Sequence, residues 1–117
     1  MAYIGLIVDD VVVNKFELNN NVLTIGRSPE NDVPIEDNSV SSFHAQVLKE
    51  DDPYLEGQTQ YILEDLDSTN ATKVNGLKIN HHKLINGDLI QIGYNKFRFV
   101  DKSQVNLDRT AVIVPES

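Results

Sequence analysis

A chain of 117 residues, 40% of them hydrophobic, has material for one domain with an ordinary core, and its apolar stretches fall far short of the ~20 residues a membrane span needs. The absence of cysteine removes disulfides, thiolate metal sites and thiol nucleophiles together. A net charge of -8 opposes binding to the phosphate backbone of DNA or RNA, and Met1-Ala2 lacks the basic flank and apolar segment of a signal peptide, so a soluble cytoplasmic protein with no nucleic-acid or membrane partner is expected.

Ala2 to Val8 and Val11 to Leu18 are β-branched runs separated by Asp9-Asp10, a pattern that predicts an N-terminal hairpin. Val22 to Ile25 is a strand that runs straight into Gly26-Arg27, which places the arginine where the chain leaves the sheet. Val33 and Ile35 alternate with polar residues in another short strand. In His44 to Leu48, Ala45 and Val47 share one face, while His44, Gln46 and Leu48 share the other. Glu50 to Gln58, with Pro53 and Gly57, reads as a polar loop. Tyr61 to Leu66 follows as a strand with Tyr61, Leu63 and Asp65 on one face. Asn75-Gly76, between Val74 and Leu77-Lys78-Ile79, is the dipeptide best suited to a type I′ hairpin turn. Asn86-Gly87-Asp88 marks a further turn before Leu89, Ile90 and Ile92, and Tyr94 to Val100 closes the sheet with Phe97 and Phe99 facing alike.

Many short strands with closely spaced turns predict an all-β fold, a β-sandwich of two twisted sheets. Apolar density drops after Asp101 and returns only at Ala111 to Val114. Residues 1–101 are therefore expected to form the domain and residues 102–117 a flexible C-terminal tail.

Within this pattern lie four polar motifs in order: Gly26-Arg27-Ser28, Ser41-Ser42-Phe43-His44, Asp67-Ser68-Thr69-Asn70-Ala71-Thr72 and Val74-Asn75-Gly76. A Leu84-x-x-Gly87-Asp88-x-Ile90-x-Ile92-Gly93 segment follows them. In this order and spacing they resemble the forkhead-associated (FHA) domain, over about residues 1 to 100. The resemblance implies a module that recognises phosphothreonine in a partner protein, the substrate of a Ser/Thr kinase, and so an adaptor in signalling rather than an enzyme.

Phosphothreonine recognition asks for a planar cation, neutral donors for the remaining oxygens and a small niche for the threonine methyl. Arg27 suits the first task because a guanidinium grips two phosphate oxygens in a fixed fork. Ser41, three residues before His44 as in the family, supplies a hydroxyl donor. Ser42 beside it is included among the phosphopeptide-binding residues. By the same resemblance Thr69 helps hold the phosphate and Asn70 bonds the ligand's main chain. His44, with Gly26, Asn75 and Gly76, is implied to brace the site. Turn geometry alone also accounts for Asn75-Gly76.

No catalytic constellation accompanies these residues. There is no Gly-rich Walker loop and no G-x-S-x-G elbow, and His44 has neither nucleophile nor metal partner beside it. His81 and His82, adjacent on a strand, would point to opposite faces, so no metal and no cofactor is expected. Glu64, Asp65 and Asp67 read most simply as a solvated strand end, and the Asn70-Ala71-Thr72 sequon as incidental.

Two positions depart from the commonest family pattern. Ser42 stands where many members have arginine, which leaves Arg27 as the only arginine in the pocket. Ala71 stands where glycine usually follows the asparagine, and alanine resists any backbone with positive φ. These departures keep open an alternative, a domain of this fold that binds partners without phosphate. In the tail, Asp108-Arg109-Thr110-Ala111-Val112-Ile113 resembles a phosphoacceptor with an apolar residue three positions on, so phosphorylated Thr110 is a candidate ligand for self-association or autoinhibition.

Overall fold

The computed structural model describes residues 2–103. Eleven strands make two sheets. The six-stranded sheet runs in the order β2 (Val11–Glu17), β1 (Ala2–Val8), β11 (Asn95–Asp101), β10 (Leu89–Ile92), β7 (Thr72–Val74) and β8 (Leu77–Ile79). The five-stranded sheet runs β4 (Val33–Pro34), β3 (Val22–Gly26), β5 (Ala45–Asp51), β6 (Thr59–Asp65) and β9 (His81–Lys83). Every described pairing is antiparallel except β3 with β4, where Ile25 lies beside Val33.

Alternation decides which side chains form the core. Phe97 and Phe99 of β11, Ile90 and Ile92 of β10, Ile4 of β1, Ile25 of β3 and Leu63 of β6 are all fully buried between the sheets. The Tyr61 and Phe99 rings, one from each sheet, lie 5.6 Å apart, and Phe16 meets Phe97 edge-on at 6.4 Å. Such contacts between aromatic rings add to area burial as the source of cohesion. β2 lies at the edge of its sheet, with Val11, Val12 and Val13 exposed.

Both expected tight hairpins have the left-handed backbone that a type I′ turn requires. Asp9 and Asp10 sit at φ 53° and 64°, Asn75 and Gly76 at 51° and 84°. The polar loop is shorter than the sequence suggested. Glu50 and Asp51 extend β5 by pairing with Gln60 and Thr59, and the turn begins at Asp52, whose carboxylate accepts the amides of Tyr54 and Leu55. His44 precedes β5 rather than opening it. After Ile79 the chain changes sheets: β8 pairs with β7, whereas β9, starting at His81, pairs with β6.

Candidate functional site

The recognition motifs converge because main-chain bonds lace three loops together at one end of the sandwich. The amide of Arg27 donates to the Ser41 carbonyl at 2.9 Å, Ser28 N to the Ser42 carbonyl at 3.1 Å, and His44 N to the Ile25 carbonyl at 2.9 Å. This lacing is so close that a Cβ on Gly26 would lie 2.3 Å from the Ser42 carbonyl oxygen. Glycine is therefore needed at position 26 for backbone approach. The Arg27 side chain is exposed, and its Nε donates to the Val40 carbonyl at 3.0 Å. The two terminal nitrogens of the guanidinium have no hydrogen bond or ion pair among the described residues, so the fork is oriented at its base while its tips remain available.

Ser41 is bound on two sides. Its amide donates to His44 Nδ1 at 3.1 Å, and its Oγ accepts the Thr69 amide at 3.0 Å, which leaves the hydroxyl hydrogen to point elsewhere. His44 is fully buried. Because Nδ1 accepts from Ser41, Nε2 carries the proton and donates to the Ala71 carbonyl at 2.8 Å. One neutral imidazole thus spans the Ser41 loop and the Asn70 loop. The Asn70 carboxamide nitrogen donates to the Ser39 carbonyl at 2.8 Å, and its oxygen has no partner among the described residues. Ser42 and Thr69 are exposed at the rim. A cavity of about 290 Å³ opens on one side of Asn70, lined by Ser39, Asn70, Ala71, Lys73, Gln91, Gly93 and Tyr94.

The Asn70 loop has its own anchor at Asp65. Its carboxylate accepts Ser68 N, Ser68 Oγ and Thr72 Oγ1. Partial burial pushes this carboxyl up, but the three hydrogen bonds outweigh that and hold it below the ordinary carboxylate value. Asp37 plays the matching part for the neighbouring loop. It takes the Ser39 hydroxyl and amide, Tyr94 N and Asn95 Nδ2, and these bonds, led by the Ser39 hydroxyl, also lower its pKa.

Asn75 and Gly76 lie outside this lacing. Asn75 donates to Asp88 Oδ1 at 2.9 Å and accepts Leu89 N, while Asp88 also receives Ile85 N and His82 Nε2. They brace the β7–β8 hairpin against the turn before β10. Thr110 lies outside the described residues. Ala71 sits at φ 67°, the left-handed conformation that the glycine-to-alanine departure makes costly. Sequence reasoning passed over Asn31, which is buried and donates to the carbonyls of Ser28 and Ser42 at 2.9 and 2.7 Å. It also missed Asp37. Both stand in loops where Asn and Asp are ordinary turn formers, so no local signal marks them.

A two-sheet sandwich that gathers an arginine, a serine and an asparagine-bearing loop at one end defines a class of β-sandwich with a loop-built polar binding site. The FHA domain pattern matches residues 23–93, and the chain belongs to the FHA domain family. Among its relatives is an oxoglutarate dehydrogenase inhibitor from Corynebacterium jeikeium, 38% identical over 87 residues that make up 74% of this chain and 54% of that protein. The chain spans about half the length of the curated relatives it matches. A solved structure from work on phosphothreonine-dependent FHA domain interactions has 27% identity and a TM-score of 0.71, over 86% of this chain and 95% of that one. The FHA domain of FhaA, in complex with the intracellular domain of Rv3910, has 27% identity and a TM-score of 0.70, over 85% of this chain and 99% of that one.

Proposed function

We propose that the chain is a phosphothreonine-dependent protein-interaction module, a reader of Ser/Thr kinase signalling that binds and does not catalyse. The observation that carries this reading is the Arg27 fork, fixed at Nε by the Val40 carbonyl beside a Ser41 hydroxyl that accepts from Thr69 N. In this reading Arg27, Ser41, Ser42 and Thr69 surround the phosphate and Asn70 takes the peptide main chain. Gly26 and His44 hold that geometry, and Asn75-Gly76 the hairpin next to it. Residues 1–101 form the module, residues 102–117 its tail, and the setting is the cytoplasm. The partner is a phosphothreonine-bearing protein, consistent with relatives that carry the names of regulators.

Calorimetry with a phosphothreonine peptide and its unphosphorylated twin tests the proposal. Binding of the phosphorylated peptide alone, lost in Arg27→Ala, supports it. Equal binding of both peptides would replace it with a phosphate-independent scaffold.

A further inference from the structure

The strand registers reveal a separation of charge. On the outer face of the six-stranded sheet, cross-strand neighbours align Lys96 with Gln91, Gln91 with Lys73, and Lys73 with Lys78. A second row aligns Lys15 with Gly5 and Gly5 with Arg98. Cross-strand partners share a face, and Phe97, Phe99, Thr72 and Val74 are buried on the opposite one, so these five cations all point outward. Of the two carboxylates on these strands, Asp101 is buried on the inner side, which leaves Glu17, opposite Tyr3, on this face. Half of the ten basic residues thus share a surface with one of eighteen acidic ones, in a chain of net charge -8.

None of the five forms a salt bridge among the described residues, where Lys83 pairs with Asp52 and His82 hydrogen-bonds to Asp88. Lys73 and Lys78 stand directly opposite one another, an arrangement that is unfavourable unless an anion lies between or above them. Apolar groups occupy the middle of the face. Val12 and Tyr3 both crowd the space over Gly5, and the Lys15 ammonium sits 5.0 Å over the Tyr3 ring. The patch also reaches the candidate peptide site, since Lys73 lines the cavity with Asn70 and Ala71.

We infer that the outer face of the six-stranded sheet is a second docking surface, for an acidic patch on a partner protein, working without phosphate. Charge complementarity identifies the chemistry, and the overall charge favours a short, localised acidic stretch of a protein over a long polyanion such as a nucleic acid, whose field reaches the acidic remainder of the molecule. Continuity with the cavity beside Asn70 lets one partner occupy both surfaces, yet this inference does not depend on the phosphothreonine reading.

An unphosphorylated oligo-glutamate peptide, titrated into the full chain and followed by amide NMR, tests it. Shifts at Lys96, Gln91, Lys73 and Lys78, suppressed by salt and weakened about tenfold in the folded double variant K15E/K96E, support the proposal whether or not the chain binds a phosphothreonine peptide. Shifts elsewhere, no shifts, or shifts that K15E/K96E leaves intact would overturn it. Phosphatidylserine vesicles form the second arm, and sheet-face binding to vesicles without any response to the peptide would assign the face to a membrane and overturn the protein partner.

Discussion

At the scale of single residues, the site depends on how Arg27 is held. Its Nε is committed to the Val40 carbonyl, so the terminal nitrogens approach a ligand in one plane. Arg27→Ala removes two charge-assisted bonds and is expected to weaken phosphothreonine-peptide binding by about 3 kcal/mol or more, over a hundredfold, by calorimetry. Arg27→Lys should recover little of it, because a point charge lacks the fork. Ala71 yields the opposite kind of prediction. At φ 67° its Cβ is strained, and Ala71→Gly is expected to stabilise the domain by about 1 kcal/mol, seen as a thermal midpoint about 4 °C higher. The sequence pointed to this residue as a departure from the family pattern. The backbone supplies the reason.

At the scale of elements, the recognition loops depend on buried or half-buried polar groups rather than on apolar packing. His44 spans two loops, and replacing it with phenylalanine would leave Ser41 N and the Ala71 carbonyl without their partner, so both stability and peptide affinity should fall in His44→Phe. The Asp65 knot predicts a pH dependence. Its carboxyl titrates below the ordinary value in the folded state, so its contribution is complete above about pH 4 and is lost as pH falls through the lowered value. Amide NMR of Ser68 and Thr72, followed from about pH 6 downward until the Asp65 carboxyl itself is protonated, should show the Asn70 loop loosening at the acid end while the core strands hold. Retained Ser68 and Thr72 shifts down to that end would contradict this account.

Much of the element order was legible in the sequence, because alternation such as Tyr61, Leu63, Asp65 and turn dipeptides such as Asn75-Gly76 are local signals. The sheet change at Asn80 was not. Leu77–Ile79 and His81–Lys83 look alike in one dimension, and only pairing with Val74 or with Leu63 tells them apart. The roles of Asn31 and Asp37 were hidden for the same reason: their partners, Ser42 and Asn95, lie 11 and 58 residues away in the chain.

At the scale of the whole molecule, two sheets share one core, and stability and binding are separable. Phe99 is fully buried, pairs with Ile4 across the sheet and touches Tyr61 of the opposite sheet. Phe99→Ala should cost about 3–5 kcal/mol in urea denaturation, a large share of what holds a small domain together. Half of the ten basic residues collect on one sheet face, whereas Lys49 and Lys83 stand on the five-stranded sheet.

The lacing of the loops has a consequence for how the protein can change. Arg27 is aimed by the carbonyls of Val40 and Ser41, and the Asn70 loop by the carbonyls of Ser39 and Ala71, groups that every residue type possesses. The side chains of Ser42, Phe43 and Tyr94 are exposed and take no part in that scaffold. Drift at those positions can retune taste for a ligand while the aim of the arginine stays put, which makes them the natural places to randomise in a library selected for new specificities.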